Sequence, residues 1–338
     1  MDTAIQLCLP YLSHSKNSML CLDENTLGSI ASLPEGCKII SNRFDVAAAI
    51  PGARFSDWKI EADQLDCLAF RLSKEKAVNH HIINQAISAL SNGGTLVFSG
   101  QKNQGIKSYA KSVKKLLGNC DIEKHGLDYL CTATINNKPN ELLDDQNYSQ
   151  LRPTLEFQGF ELQSKPGQFG WNKLDQGSLL LLEAIQSEFE QNAVKRVLDL
   201  GCGYGFLSVG MALQQQPEYL CASDNNAAAI ASCLANLKNL QDNQQAKLEY
   251  DVIPDDCARN IDQRFDTVVC NPPFHQGFDV ENQLTDKFLE SAKTHLSEGG
   301  RAYFVVNSFI GIEKKAKAYF KQIDCLENNK QFKILRFQ

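Results

Sequence analysis

The 338-residue chain carries twelve cysteines but no CxxC pair, and their spacings follow no regular pattern. That absence excludes paired-cysteine zinc sites and the thioredoxin-type redox motif, so no metal is expected. Cys202, Cys221 and Cys270 lie in apolar surroundings and read as small core side chains of a protein kept in a reducing cytoplasm. The chain opens Met1-Asp2 without a basic region, and no apolar run approaches the about 20 residues that cross a bilayer. No membrane partner is expected. An excess of positive charge is missing too: 34 Lys and Arg stand against 40 Asp and Glu, a net charge of −6. Taken whole, that balance speaks against a nucleic-acid partner. Divided, it reads differently, because residues 1–150 hold 15 basic against 16 acidic side chains and residues 151–338 hold 19 against 24. The acidity sits in the second half.

What is present begins with Asp199-Leu200-Gly201-Cys202-Gly203-Tyr204-Gly205. The apolar run Val197–Leu200 predicts a buried parallel strand, and Phe206–Leu213 has helical character after it. Glycines between a strand and a helix open backbone angles closed to other residues and let a ligand lie on bare main chain. A nucleoside-binding turn of this kind requires an acid about 20 residues further on for the ribose hydroxyls. Asp224 stands there, after the short apolar segment Tyr219–Ala222. A nicotinamide oxidoreductase and a methyltransferase both satisfy this much, and so does a plain tight turn.

Asn271-Pro272-Pro273-Phe274 narrows the choice. It follows the strand pattern Phe265–Cys270, so Asn271 falls at a strand's carboxyl end, where open α/β sheets bind ligands. Two prolines fix φ and remove two donors, which frees the Pro272 carbonyl to stand beside the Asn271 side-chain carbonyl. Two such acceptors receive both hydrogens of an –NH2 group and turn its lone pair toward a sulfonium methyl. Phe274 offers a ring face on which a base stacks. Together the two motifs imply methyl transfer from S-adenosylmethionine to an amino nitrogen conjugated with a ring or carbonyl. His275 reads as a loop histidine, because the methylated nitrogen sheds its proton without a dedicated base. A guanine 2-amino group, an adenine 6-amino group and a glutamine amide all fit the tetrapeptide, and a non-catalytic RNA-binding module is a further alternative.

The chain is duplicated. Sliding it by 206 residues lays Gly93–Phe98 over Gly299–Phe304 and Gly105-Ile106 over Gly311-Ile312; eight of 23 positions match, against about one or two by chance. A shift of 200 lays Leu65–Phe70 over the strand that begins at Phe265. The first copy then has Arg71-Leu72-Ser73-Lys74 where the second has its tetrapeptide, and Ser18–Glu24 without glycine where the second has its turn. It is expected to bind neither cofactor nor amine, and to orient RNA or brace the second copy. Its lysines 102, 107, 111, 114 and 115 occur with no acid between them, and 107, 111, 114 and 115 share one helical face. Such a face holds phosphates, or is ordinary solvated surface.

From Pro166 onward the chain resembles class I methyltransferases that modify the guanine 2-amino group in ribosomal RNA. Pro166-Gly167-Gln168-Phe169 and Leu174-Asp175-Gln176-Gly177-Ser178 are similar to the entry segment of the small-subunit rRNA methyltransferase C family, as Arg71–Lys76 and Gly105–Ser108 are to its first domain. Trp171-Asn172 departs from the small or basic pair expected there. The resemblance implies two tandem Rossmann-like α/β domains, a degenerate one at 1–145 and a catalytic one at 166–338, joined by a polar linker at 146–165. It implies S-adenosylmethionine as cofactor, with Asp199, Gly201 and Gly203 at its methionine part, Asp224 at the ribose and Asp251 at the adenine. Gly177 and Ser178 are expected to cover the cofactor, Asn271 and Pro272 to grip the amine, and Phe274 to stack on the base. Arg71, Lys74, Lys76, Lys107, Lys111, Lys114 and Lys115 are the expected RNA contacts. The expected partner is 16S rRNA of the small ribosomal subunit, met by a monomer, with the large-subunit RNA as the alternative.

Overall fold

The structure, a computed structural model, describes residues 3–23, 33, 35–189, 194–243, 247–273 and 278–338. The chain divides into two units, Met1–Gln150 and Leu151–Gln338. The first carries strands β1 (Ser18–Leu22), β2 (Lys38–Ser41), β3 (Ala53–Phe55), β4 (Leu65–Arg71), β5 (Leu90–Gln101), β6 (Asp121–His125) and β7 (Asp128–Thr134). They lie side by side as β3-β2-β1-β4-β5-β7-β6. Pairing is parallel from β3 to β5, and β7 runs antiparallel to both its neighbours.

The second unit opens with the hairpin β8 (Arg152–Phe157) and β9 (Phe160–Ser164). Its main sheet follows as β10 (Arg196–Leu200), β11 (Tyr219–Asp224), β12 (Glu249–Pro254), β13 (Phe265–Cys270), β14 (Leu296–Asn307), β15 (Ile323–Asn328) and β16 (Phe332–Phe337). The order β12-β11-β10-β13-β14-β16-β15 repeats that of the first unit strand for strand. Both are Rossmann-like sheets. The inner strands read as unbroken apolar runs because helices cover both faces of a parallel sheet, and Val197, Leu198 and Leu200 are fully buried.

Details of the sheets also repeat. β5 and β14 lie 206 residues apart and alternate between buried and exposed positions in the same sequence, residue for residue. In each unit an aspartate near the start of the fourth strand accepts from main chain at the start of the first: Asn17 N–H to Asp66 at 3.0 Å, and Lys195 and Arg196 N–H to Asp266 at 3.0 and 2.9 Å. Where the second unit turns out of its sheet at Asn271, the first continues its ladder, with the Leu72 N–H donating to the Ser99 carbonyl and the Leu72 side chain fully buried. Of the segment Ser18–Glu24 matched to the glycine turn, Ser18–Leu22 forms β1, and Glu24 lies outside the described residues.

The expected linker at 146–165 needs correction at both ends. Its start is pinned to the first unit: Tyr148 is fully buried and its hydroxyl donates to Asp57 at 2.7 Å, while His81 stacks on its ring at 4.5 Å. Residues 152–164 form the hairpin, which buries Phe157, Phe160 and Leu162 in the core of the second unit. Buried Asn236 ties that hairpin down, accepting from Gln163 N–H at 2.7 Å and donating to the carbonyls of Gln163 and Tyr204 at 2.9 and 2.8 Å. Polar turn residues hid the hairpin, whose apolar positions are only every second residue. Trp171, the departure noted above, lies against the Arg152 guanidinium at 4.8 Å. The twelve cysteines are free thiols, nine of them buried. Among the described residues no helix is long and apolar enough to cross a membrane, and no cluster of His, Cys, Asp and Glu has the form of a metal site.

Candidate active site

Strand order reverses between β10 and β13, and open α/β sheets bind ligands at the carboxyl ends on either side of such a switch. Asp199 pairs with Val269 across these strands; two residues further along each lie Gly201 and Asn271. The glycine turn and the tetrapeptide therefore leave adjacent strands at the same end of the sheet.

The turn is fastened to β11. Gly201 and Cys202 N–H groups donate to the Ser223 carbonyl at 2.9 and 3.0 Å, and Gly203 N–H donates to Asp224 Oδ2 at 2.9 Å. The other Asp224 oxygen accepts from Asn226 N–H at 2.8 Å, and Asn226 in turn caps the helix Ala227–Asp242. Gly205 has φ +87°, and a Cβ there would stand 2.8 Å from Cys233 Sγ and 3.1 Å from its Cα. Gly205→Ala should therefore cost about 1–3 kcal/mol in backbone strain alone, with the steric clash added. The loss is read as a lower Tm, and Cys233→Ala should recover part of it.

Asp199 is fully buried beneath the turn. Its Oδ2 accepts from the Ser208 hydroxyl at 2.6 Å, while Oδ1 has no hydrogen-bond partner. Burial, and secondarily the charge of Asp224, push its carboxyl up to about 7 against the opposing Ser208 hydrogen bond. A buried acceptor oxygen with no donor, next to a turn with bare glycines, suits a cationic ligand such as the amino-acid end of S-adenosylmethionine. The residues present fit that cofactor.

Asn271 is held from the opposite side by the helix Gln176–Phe189. Its Nδ2 donates to Asp175 Oδ1 at 2.9 Å and to Ser178 Oγ at 2.8 Å. Asp175 also caps the helix, with Oδ1 accepting from Ser178 N–H at 2.7 Å. A carboxylate only accepts, so the amide group facing Asp175 is the NH2. With both its hydrogens engaged, Oδ1 is the atom left for an incoming amine. Pro272 is buried, and Phe274 and His275 lie outside the described residues.

The structure places four of the expected site residues differently. Asp251 sits inside β12, paired with Cys221 and exposed, and its carboxylate accepts from the Tyr219 hydroxyl at 2.6 Å. That is three residues short of the strand's carboxyl end, about 10 Å from the mouth of the site. The acids at the mouth are Asp255 and Asp256. Asp255 is buried and accepts from Asn260 N–H at 2.8 Å; Asp256 pairs with Lys287 at 3.0 Å. Gly177 faces Val305 and Phe332, where a Cβ would come within 3.1 and 3.3 Å, so it lets the helix start approach the sheet. Ser178 grips Asn271. Arg71 is buried, with its Nη1 donating to the Leu72 carbonyl at 2.9 Å, and is withdrawn from the surface on which an RNA contact was expected. Lys74, Lys76, Lys107, Lys111, Lys114 and Lys115 are exposed.

Reading the sequence missed Asp175, although an Asp three residues before Ser178 at a helix start is a capping signal. It also missed Phe309, 84% exposed on the segment after β14, where a lone phenylalanine in sequence looks like core.

The sequence profile of the family described as Methyltransferase small domain matches residues 159–336. The chain is 30% identical over 272 residues to ribosomal RNA small subunit methyltransferase C of Hamiltonella defensa, covering 80% of this chain and 76% of that protein. It is 27% identical over 314 residues to the protein of the same name from Haemophilus influenzae (strain PittGG), covering 93% and 91%. A 16S rRNA N2 methyltransferase of T. thermophilus, solved with AdoMet and guanosine, matches all of this chain and 92% of its own at a TM-score of 0.83; at 24% identity this is a likeness of fold. The chain belongs to the methyltransferase small domain family and, within it, to the ribosomal RNA small subunit methyltransferase C family.

Proposed function

We propose that this protein methylates the 2-amino group of a guanine in 16S rRNA, with S-adenosylmethionine as methyl donor. The observation that carries the reading is the anchored Asn271 amide, its NH2 tied to Asp175 and Ser178, at the strand end beside the glycine turn. The relatives' names supply the small-subunit RNA, and the guanosine in the T. thermophilus structure supports the choice of base.

When bound, S-adenosylmethionine supplies an already activated sulfonium methyl. Asp199 faces its ammonium, the bare backbone of Gly201 and Gly203 takes its methionine part, and Asp224 takes the ribose hydroxyls. Asp256 replaces Asp251 as the acid for the adenine amino group. Asn271 Oδ1 and the Pro272 carbonyl accept the two amine hydrogens and direct the lone pair. Phe274 and exposed Phe309 offer ring faces to a base that has left its stack at a cost of about a few kcal/mol. No side chain is required as a base, since the methylated nitrogen loses its proton to water. Positioning then carries the rate, and an oriented pair recovers about 7–11 kcal/mol of barrier. The protein acts in the cytoplasm as a monomer, one chain supplying both domains.

Asp175 is a positioning residue. Asp175→Ala should lower kcat about tenfold or more by freeing the Asn271 amide to rotate, and cost about 1 kcal/mol of helix capping. Binding of S-adenosylhomocysteine should be unchanged, which separates positioning from loss of the site.

Radiolabelled methyl transfer to 30S and 50S subunits lacking native methylation, followed by nucleoside analysis, tests the function. Label in 2-methylguanosine from the small subunit, absent with Asn271→Ala, is the expected result. Label only in the large subunit overturns the target, and label in methyladenosine overturns the base.

A further inference from the structure

We propose that the groove between the helix Ile106–Leu117 and strands β6 and β7 binds the phosphate backbone of RNA. The inference rests on the RNA-modifying function above and gives the degenerate first unit a site of its own. The groove measures about 570 Å³, and Lys107, Lys111, Lys114, Lys124, Ile122 and Tyr129 line it. Three of the lysines succeed one another at single-turn spacing on a helix that buries Ile106, Tyr109, Ala110 and Val113. Lys124 comes from the other wall. Alternation along β6 turns Ile122 and Lys124 into the groove, while Asp121 and Glu123 belong to the strand's other face. No acidic side chain lines the groove, and among the described residues no carboxylate pairs with its four lysines.

The second unit provides an internal comparison. Lys107 corresponds to Glu313 in the 206-residue repeat. Tyr129 corresponds to Lys333, because Gly100 pairs with Tyr129 as Val306 pairs with Lys333. In the first unit the lysine lies over the tyrosine ring at 5.3 Å; in the second the equivalent positions form a Glu313–Lys333 ion pair at 2.5 Å. Lys114 corresponds to Phe320, which is buried. The same corner of the same fold is thus charge-paired and closed in one copy, and uniformly basic and open in the other. The topology does not require the lysines. In a chain of net charge −6, a rail of unpaired cations about 10 Å long is a local exception whose complement is a polyanion.

The test uses the full chain with Lys107, Lys111, Lys114 and Lys124 all changed to Gln, and binding to unmethylated 16S rRNA and to 30S subunits between 50 and 200 mM KCl. Losing four phosphate contacts should reduce the slope of log K against log salt by about 3. KM for RNA should rise with kcat at saturating RNA and S-adenosylhomocysteine binding unchanged, and the four Lys→Arg changes should restore the slope. A Gln variant with the wild-type slope overturns the proposal. So does an equal effect from changing Lys195, Lys238, Lys247 and Lys330 to Gln, which would reduce the groove to net charge. Loss confined to 30S subunits, with naked RNA bound as before, would give the groove to an acidic protein surface and overturn the RNA assignment. A lysine-dependent slope in a protein that transfers no methyl group would support the groove and overturn the proposed function instead.

Discussion

Asn271→Ala should slow methyl transfer by about 100-fold or more, because misplacing a reacting group by even about 1 Å costs that much. Binding of S-adenosylhomocysteine should change little. The side chain donates to Asp175 and Ser178 at the start of the helix Gln176–Phe189, and among the described residues it makes no hydrogen bond to the glycine turn. Truncation leaves Asp175 its Ser178 N–H bond, so the helix cap survives and the fold should hold. Asn271→Asp sharpens the result. It retains an oxygen for the amine but loses the two donated hydrogen bonds and sets a second carboxylate 2.9 Å from Asp175. If an acceptor alone were sufficient, the Asp variant would be active. The anchored geometry predicts that both variants fail, in single-turnover rate and not in cofactor affinity.

What could be read from the sequence divides along physical lines. Strand-to-helix turns with glycines, the acid that ends the next strand and the Asn-Pro-Pro turn are local patterns. Their placement at strand ends followed from the apolar runs before them, as Val197–Leu200 and Phe265–Cys270 illustrate. The duplication was legible because one β-strand and the helix after it kept their register over 206 residues. Residues whose role depends on which way a strand is cut off were misjudged. Asp251 is expected at the adenine, but β12 runs on to Pro254, so the mouth belongs to the acids that follow. Long-range partners were invisible: nothing local joins Asp175 to Asn271, 96 residues away. Arg71 looked like a surface cation because arginine usually is one, yet its position at the end of a central strand buries it. The hairpin of residues 152–164 was lost to its turn composition, since its packing partners Phe206 and Asn236 lie far along the chain.

Asp199→Asn should raise stability and lower cofactor affinity together. The carboxyl is fully buried and pushed up to about 7, first by burial and then by Asp224, from an unfolded value of about 3.9. A folded-state pKa that is raised means the native protein holds the proton more tightly than the unfolded chain. The associated stability is fully present below about pH 4 and is lost as pH rises through about 7, a difference of about 4 kcal/mol. At pH 8 the ligand-free protein therefore carries a buried carboxylate with one oxygen lacking any donor. Asparagine keeps an acceptor for Ser208 and removes the charge, so Tm should rise most at pH 8, and the gain should be smaller at pH 5 and shrink further toward pH 4. Binding has the opposite sign. The cationic amino-acid end of S-adenosylmethionine favours the ionised carboxyl, so wild-type affinity should weaken up to about tenfold for each pH unit below 7. The Asn variant should bind about tenfold or more weakly at pH 8 and lose that pH dependence. Calorimetric titration and thermal melts at both pH values separate the outcomes. A variant less stable at pH 8, or one that binds with the wild-type pH profile, would make Asp199 a structural acid that holds Ser208. Stability gained as affinity is lost would mean that the fold tolerates a costly buried charge at the one place where its ligand brings the neutralising cation.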